Sequence, residues 1–110
     1  MLFLATVLAL TSYSITDGDT IRSGETRVRI WGIDAPEKGR PGGQESAEAL
    51  TMLTAGQELR CEEMDRDRYD RVVARCTLPD GRDIACEMVK MGAAWDWPKY
   101  SGGYYAPCRR

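Results

Sequence analysis

The sequence predicts an α+β fold that is mainly β, and three observations predict it. Five segments of alternating or β-branched residues are punctuated by turns rich in Gly, Asp and Pro. Two further segments carry apolar residues at helical spacing. At 110 residues, with 43% hydrophobic and 29% charged side chains, the chain can build one small soluble domain.

The elements follow in order. Residues 12–16 alternate loosely and run into Asp17-Gly18-Asp19, a turn signal. Thr20-Ile21-Arg22 opens a second strand, and Ser23-Gly24-Glu25 is a tight hairpin connection. Residues 26–33 form the clearest strand, with β-branched Thr26, Val28, Ile30 and Ile33. Alternate residues of a strand face opposite sides, so Val28 and Ile30 share one face and Arg29 and Trp31 the other. Arg29 is therefore expected to project away from the core. Residues 38–43 read as a flexible basic loop. Residues 45–55 place Ala47, Leu50 and Leu53 on one side of a short helix, which Gly56 is suited to end. Residues 58–64 and 72–78 are two more strands around the charged connection 65–71. Pro79-Asp80-Gly81 turns the chain. Ile84, Met88 and Met91 then recur at i, i+4 and i+7 in a second short helix that stops at Gly92.

Three strands, a helix, two strands and a helix amount to an α+β domain with a small antiparallel sheet. The order is compatible with a five-stranded barrel of the oligonucleotide-binding (OB) type. No internal repeat or interdomain linker interrupts it.

Charge and composition narrow the function. The formal net charge of −2 counts against a protein that relies on phosphate contacts alone. It counts less against a metal-dependent enzyme, because carboxylates that hold a cation lower the sum. Histidine is absent, which removes the commonest general base and the commonest zinc ligand.

The N-terminal run is apolar except for Thr6 and too short to span a bilayer. It reads as the core of a secretory signal with Val7-Leu8-Ala9 as a small-residue cleavage site, although no Lys or Arg precedes it. Residues 1–9 are thus expected to be a signal peptide or its remnant, and residues 10–110 a single domain. The alternative is that residues 7–15 form the first strand. Four cysteines without Cys-x-x-Cys spacing suit an oxidising compartment better than a zinc site. A secreted or periplasmic location is expected. Cys61 and Cys76 lie at mirror positions about the turn near residues 67–69, which predicts a disulfide across that hairpin. Cys86 and Cys108 could form a second bridge, but nothing in the sequence orients them; all four could also be buried and reduced.

Asp19 and Asp34 sit at strand ends, and paired strands would bring both carboxylates to one hard cation. Arg29 interrupts an apolar strand, and a second arginine, Arg71, follows a charged turn. A guanidinium can grip a phosphodiester with two donors. The bland alternatives are a solvated Asx turn for Asp17 and Asp19, surface ion pairs for the arginines, and an exposed loop acid for Glu37.

Three pieces, in this order, resemble the staphylococcal nuclease (thermonuclease) family: Thr16-Asp17-Gly18-Asp19-Thr20-Ile21, Arg29-Ile30-Trp31-Gly32-Ile33-Asp34-Ala35-Pro36-Glu37, and Asp67-Arg68-Tyr69-Asp70-Arg71. The resemblance runs over residues 12–100. It implies a five-stranded OB barrel, with the family's closing third helix missing from this chain. It implies calcium held by Asp19, Asp34 and the carbonyl of Ala35, where the family commonly has threonine. Asp17 matches an acid outside that set. Arg29 and Arg71 match the phosphate-contacting arginines, and Glu37 the carboxylate that activates or positions water, its direction restricted by Pro36. Arg68 and Tyr69 match positions beside a terminal phosphate. Tyr100, and less directly Tyr104 and Tyr105, could stack on bases, or with Trp95 and Trp97 could cap the barrel.

The activity so implied is calcium-dependent hydrolysis of DNA, and of RNA, with little sequence preference and 3′-phosphate products. The protein would be a monomer with nucleic-acid substrates, no stable protein partner, and no membrane association unless its N-terminus is retained. The alternatives are the same barrel as a non-catalytic binding module for nucleic acid or protein, and an interaction protein of the envelope.

Overall fold

The computed structural model describes residues 6–109. Its centre is a six-stranded sheet curled into a half-barrel. Strands β1 (Val7–Leu10), β2 (Ser14–Asp17), β3 (Thr20–Ser23), β4 (Thr26–Ile30), β6 (Leu59–Arg66) and β7 (Val72–Thr77) are ordered β1-β6-β7-β4-β3-β2. A two-stranded ribbon pairs β5 (Ile33–Asp34) with β8 (Trp95–Asp96). The architecture is the α+β, OB-type fold expected of the sequence.

Three features differ from the expectation. The sheet has a sixth strand, because Val7–Leu10 pairs with β6. The remaining residues of the expected signal segment, 1–5, lie outside those described. Secondly, β4 and β7 pair in parallel rather than antiparallel. The long connection between them allows this, since a parallel pair needs a crossover. Finally, two expected helices are joined by a third, the four-residue α3 (Pro98–Ser101), and by a 3₁₀ turn at Ala106–Cys108.

Strand alternation builds the core. Ile21, Val28, Ile30, Leu59 and Ala74 are fully buried, while Arg27, Arg60 and Glu62 between them are exposed. Each large aliphatic side chain so buried contributes about 1.5–3 kcal/mol. Helix α1 (Gly43–Thr54) adds Ala47 and Leu50 from one face, and Gly56, at φ 72°, follows its end. Helix α2 (Ile84–Lys90) adds Ile84 and Met88. Its N-terminus is capped by Asp83, whose carboxylate accepts the N–H groups of Ala85 and Cys86 at 2.9 and 3.3 Å.

The C-terminal segment is tied down at several points. Cys86–Cys108 bridges α2 to the 3₁₀ turn, and Cys61–Cys76 joins directly opposed residues of β6 and β7. Tyr105 is buried and its hydroxyl donates to Asp83 Oδ2 at 2.9 Å. Its ring lies so close to Gly32 (φ 82°) that a Cβ there would come within 2.8 Å of it. Trp31, Tyr104 and Tyr105 meet edge to face, with Tyr105 buried and Tyr104 exposed, while Trp95 is exposed and Trp97 packs against Tyr100 instead.

Candidate active site

The site is assembled where the β2–β3 turn, the end of β4 and the exit of β5 converge. Asp19 in the turn is buried. Its Oδ1 accepts the Thr20 hydroxyl and its Oδ2 the Ala35 N–H, both at 2.9 Å. One carboxylate therefore clamps the turn to the chain beyond β5.

Arg29 projects from β4 on the face opposite Val28 and Ile30, and its side chain is only 12% exposed. Nη1 donates to the carbonyls of Ile30 and Ile33 at 2.7 and 2.9 Å. Nη2 faces Asp19 Oδ2 at 3.4 Å and Asp34 Oδ1 at 3.5 Å. The guanidinium also lies 5.6 Å from the ring centre of Trp97. Carbonyl anchors of this kind fix a guanidinium before any ligand arrives. The Asp34 carboxyl is held above the ordinary carboxylate range, first by burial and then by the negative charge of Asp19; Arg29 offsets this only in part, and Glu37 adds to it.

Glu37 is exposed on the loop that follows. Asp17 Oδ1 accepts the N–H of Lys38 at 2.9 Å, and the Glu37 carbonyl accepts the N–H of Arg40 at 3.0 Å. Two glycines let the loop pack this closely. A Cβ on Gly43 would meet the Glu37 carbonyl oxygen at 1.8 Å, and one on Gly18 would meet Ser46 Oγ at 1.8 Å. Ser46 in turn donates to the Ala93 carbonyl at 2.6 Å.

Beside Arg29 lies an open pocket of about 670 Å³, lined among others by Arg68, Tyr69, Arg71, Trp97 and Tyr100. Arg71 forms the ion pair that was the bland alternative for it: Nε meets Asp67 Oδ2 at 2.7 Å. Asp67 Oδ1 also accepts the backbone N–H groups of Tyr69 and Arg71, each at 2.9 Å. Burial works against the Asp67 charge, but these donors and the Arg71 guanidinium hold its carboxyl below the usual range. Arg71 is thus braced at the pocket wall. Arg68 Nη2 donates to the Tyr69 hydroxyl at 2.8 Å, and Tyr100 stands edge-on to Trp97 at 4.3 Å.

Residues 27–106 match the family model described as staphylococcal nuclease homologue. The chain belongs to this family. An uncharacterized endonuclease of Escherichia coli is 36% identical over 91 residues, covering 79% of this chain and 60% of that protein. A micrococcal nuclease of Shigella flexneri is 38% identical over 98 residues, covering 78% of this chain and 56% of that protein. A probable staphylococcal-like nuclease of Oryza sativa subsp. japonica is 37% identical over 83 residues, covering 76% and 25%. The chain thus spans between 25% and 60% of the length of these relatives.

Within this nuclease-homologue chain, Asp19, Arg29, Asp34 and the Ala35 N–H are brought together directly. Arg29 is the shared residue, since it touches both carboxylates and lines the pocket with Arg68, Tyr69, Arg71 and Tyr100. Glu37 is close enough for its charge to act on Asp34. The donors near Arg29 are hard oxygens, and the Asp19 charge raises the cost of ionising Asp34, a combination that suits a divalent cation. Among the described residues, no three Asp, Glu, His or Cys side chains gather closely enough to hold an ion. The rest of a cation's shell would have to come from carbonyls and water.

Sequence reasoning missed Asp67, Gly18, Gly43 and Ser46 as positioning residues. Asp67 two residues before Tyr69 was a usable signal, since an aspartate readily accepts the N–H two residues on in an Asx turn. The two glycines gave none, because a close approach of distant backbone leaves no local trace.

Proposed function

We propose that this chain is a calcium-dependent nuclease that hydrolyses phosphodiester bonds of DNA and RNA with little sequence preference and leaves 3′-phosphate ends. The observation that carries the reading is Arg29, anchored on two carbonyls and shared between two carboxylates and a pocket that also holds Arg71. The names of the relatives support nuclease activity in general.

Asp19, Asp34 and the Ala35 carbonyl would hold calcium, which when bound polarises a phosphate oxygen and offsets its charge. Arg29 and Arg71 bind the phosphodiester and stabilise the added charge of the five-coordinate state. Glu37 accepts a proton from, or orients, the water that attacks phosphorus. The new bond is P–O from water, and the bond broken is P–O5′, which leaves the phosphate on the 3′ side. Arg68 and Tyr69 border a neighbouring phosphate, and Tyr100 offers an exposed ring for base stacking. Without histidine, carboxylate chemistry is the protein's own route to a proton acceptor.

Both disulfides support a secreted or periplasmic location. No helix among the described residues is long and apolar enough to cross a membrane. The nuclease domain is proposed to span residues 10–110. Because Val7–Leu10 pairs with β6, removal of residues 1–9 would take away most of that strand; sequencing the mature N-terminus separates the two.

The test is product analysis on single-stranded DNA with wild type and Glu37→Gln. Ends that become extendable only after phosphatase treatment, formed orders of magnitude more slowly by the variant, support the reading. Folded wild-type protein that binds the strand without cutting it would replace the enzyme by the binding module.

A further inference from the structure

Two arginines outside the proposed reaction form an unusual pair. Arg22 of β3 and Arg27 of β4 are direct partners in the antiparallel register. Residues so opposed share a face with Cβ atoms about 5 Å apart, and like charges there destabilise the strand pair. Both side chains are exposed, and among the described residues neither forms an ion pair. Their partners are carbonyls instead: Arg22 Nε donates to Gly24, and Arg27 Nη2 to Tyr69. Arg29, Arg66, Arg71, Arg75 and Arg82 each stand within 4.0 Å of an acid, whereas among the described residues Arg40, Arg60, Arg68 and Arg109 share the lack of one. What sets Arg22 and Arg27 apart is that they face each other directly across a strand pair. In a chain of net charge −2, an opposed arginine pair with no acid beside it is a local excess of positive charge that an anion would relieve.

The pair is also continuous with the pocket. Arg27 and Arg29 lie on one face of β4, about 7 Å apart along the strand. The Tyr69 whose carbonyl Arg27 holds is itself part of the pocket wall with Arg68 and Arg71. A track of guanidinium groups thus leads from the proposed cleavage site over the β3–β4 hairpin. An isolated phosphate would use one position on such a track, whereas a polyanion with regularly repeated charges would use them all.

We propose that Arg22 and Arg27 bind phosphates of a single-stranded polynucleotide beyond the scissile bond, so that the protein favours long strands over dinucleotide-sized substrates. This rests on the nuclease reading and extends it. The contacts are to phosphate, so they add affinity without sequence preference.

The test compares oligothymidylate of about 20 nucleotides, longer than one OB fold covers, with the dinucleotide TpT. In Arg22→Ala/Arg27→Ala, the ratio of kcat/KM on the long strand to that on TpT is expected to fall about tenfold. Arg22→Lys/Arg27→Lys, which keeps the charge, should restore most of it. A second arm measures affinity for the same oligonucleotide by fluorescence anisotropy on a Glu37→Gln background. There the slope of log affinity against log salt should become shallower by about 1.4, or 0.7 for each lost single-strand contact. An unchanged slope, or equal losses on both substrates, would overturn the proposal. So would equal competition by polyglutamate, which would make the track a site for acidic chains. If wild type cleaves neither substrate, the nuclease reading fails, and the anisotropy arm still decides the track.

Discussion

Asp19 Oδ2 accepts the backbone N–H of Ala35 at 2.9 Å while standing 3.4 Å from Arg29 Nη2. That single oxygen joins the β2–β3 turn, the chain beyond β5 and the buried arginine of β4. The consequence is a rigid arginine between two acids, one of which, Asp34, it neutralises only in part. Catalysis by charge stabilisation needs groups fixed in advance, and this arrangement supplies one.

Arg29→Lys keeps the charge and loses the planar fork. A lysine cannot donate to the Ile30 and Ile33 carbonyls and face both acids together. The rate of strand cleavage is expected to fall by about a hundredfold or more, with the far-UV spectrum unchanged. Near wild-type kinetics would remove the fork from the mechanism.

Asp34→Asn should stabilise the calcium-free protein. Burial and Asp19 raise the Asp34 carboxyl above its ordinary value of 3.8, so its ionised form is disfavoured in the fold. A raised folded value means stability that is full below the unfolded value and lost as pH rises through the folded one. At neutral pH the cost is therefore present, and the amide removes it. Thermal unfolding at pH 7 in chelator should show a higher Tm for the variant, and a given calcium concentration should raise Tm more in wild type than in the variant. A lower Tm for Asp34→Asn would mean that its pairing with Arg29 outweighs the repulsion.

Loss of the Cys61–Cys76 bridge should cost about 3 kcal/mol, from the loop that this link closes in the unfolded chain. Both sulfurs are buried, so part of the loss in Cys61→Ala/Cys76→Ala is packing. Denaturant unfolding of the variant, and of wild type under reductant, reads the difference. Equal midpoints for all three would deny the bridge a structural role.

Tyr105→Phe should lower stability at neutral pH and flatten its loss in alkali. The Tyr105 hydroxyl is pushed well above its ordinary value of 10.0, by burial first and then by the Asp83 charge. Its contribution is full below that value and lost as pH rises above it. The hydrogen bond to a carboxylate is worth about 1.5–3 kcal/mol. Denaturation midpoints between pH 7 and pH 11 check both parts. Parallel curves for the two proteins would show that Tyr105 does not govern the alkaline limb.

Much of this site was legible because its signals are local. Alternation in residues 26–30 alone put Arg29 opposite Val28 and Ile30, and the structure agrees. The mirror placement of Cys61 and Cys76 predicted a bridge that forms between directly opposed residues. What failed was non-local. The parallel β4–β7 pairing depends on a crossover whose ends nothing in either strand identifies. Strand Val7–Leu10 was obscured because a short apolar run reads equally as a leader. The Cys86–Cys108 bridge needed the C-terminal segment folded back onto α2 before the two residues could be seen as neighbours.

The central claim is that Asp19 and Asp34 make phosphodiester cleavage beside Arg29 depend on calcium. Its most direct measurement is the initial rate of single-stranded DNA cleavage as calcium is titrated, for wild type and Asp34→Asn. The expected result is no cleavage in excess chelator, a saturable rise with calcium, and a rise displaced to higher calcium in the variant. Equal rates with calcium and with chelator, or no cleavage by folded protein at saturating calcium, would contradict it.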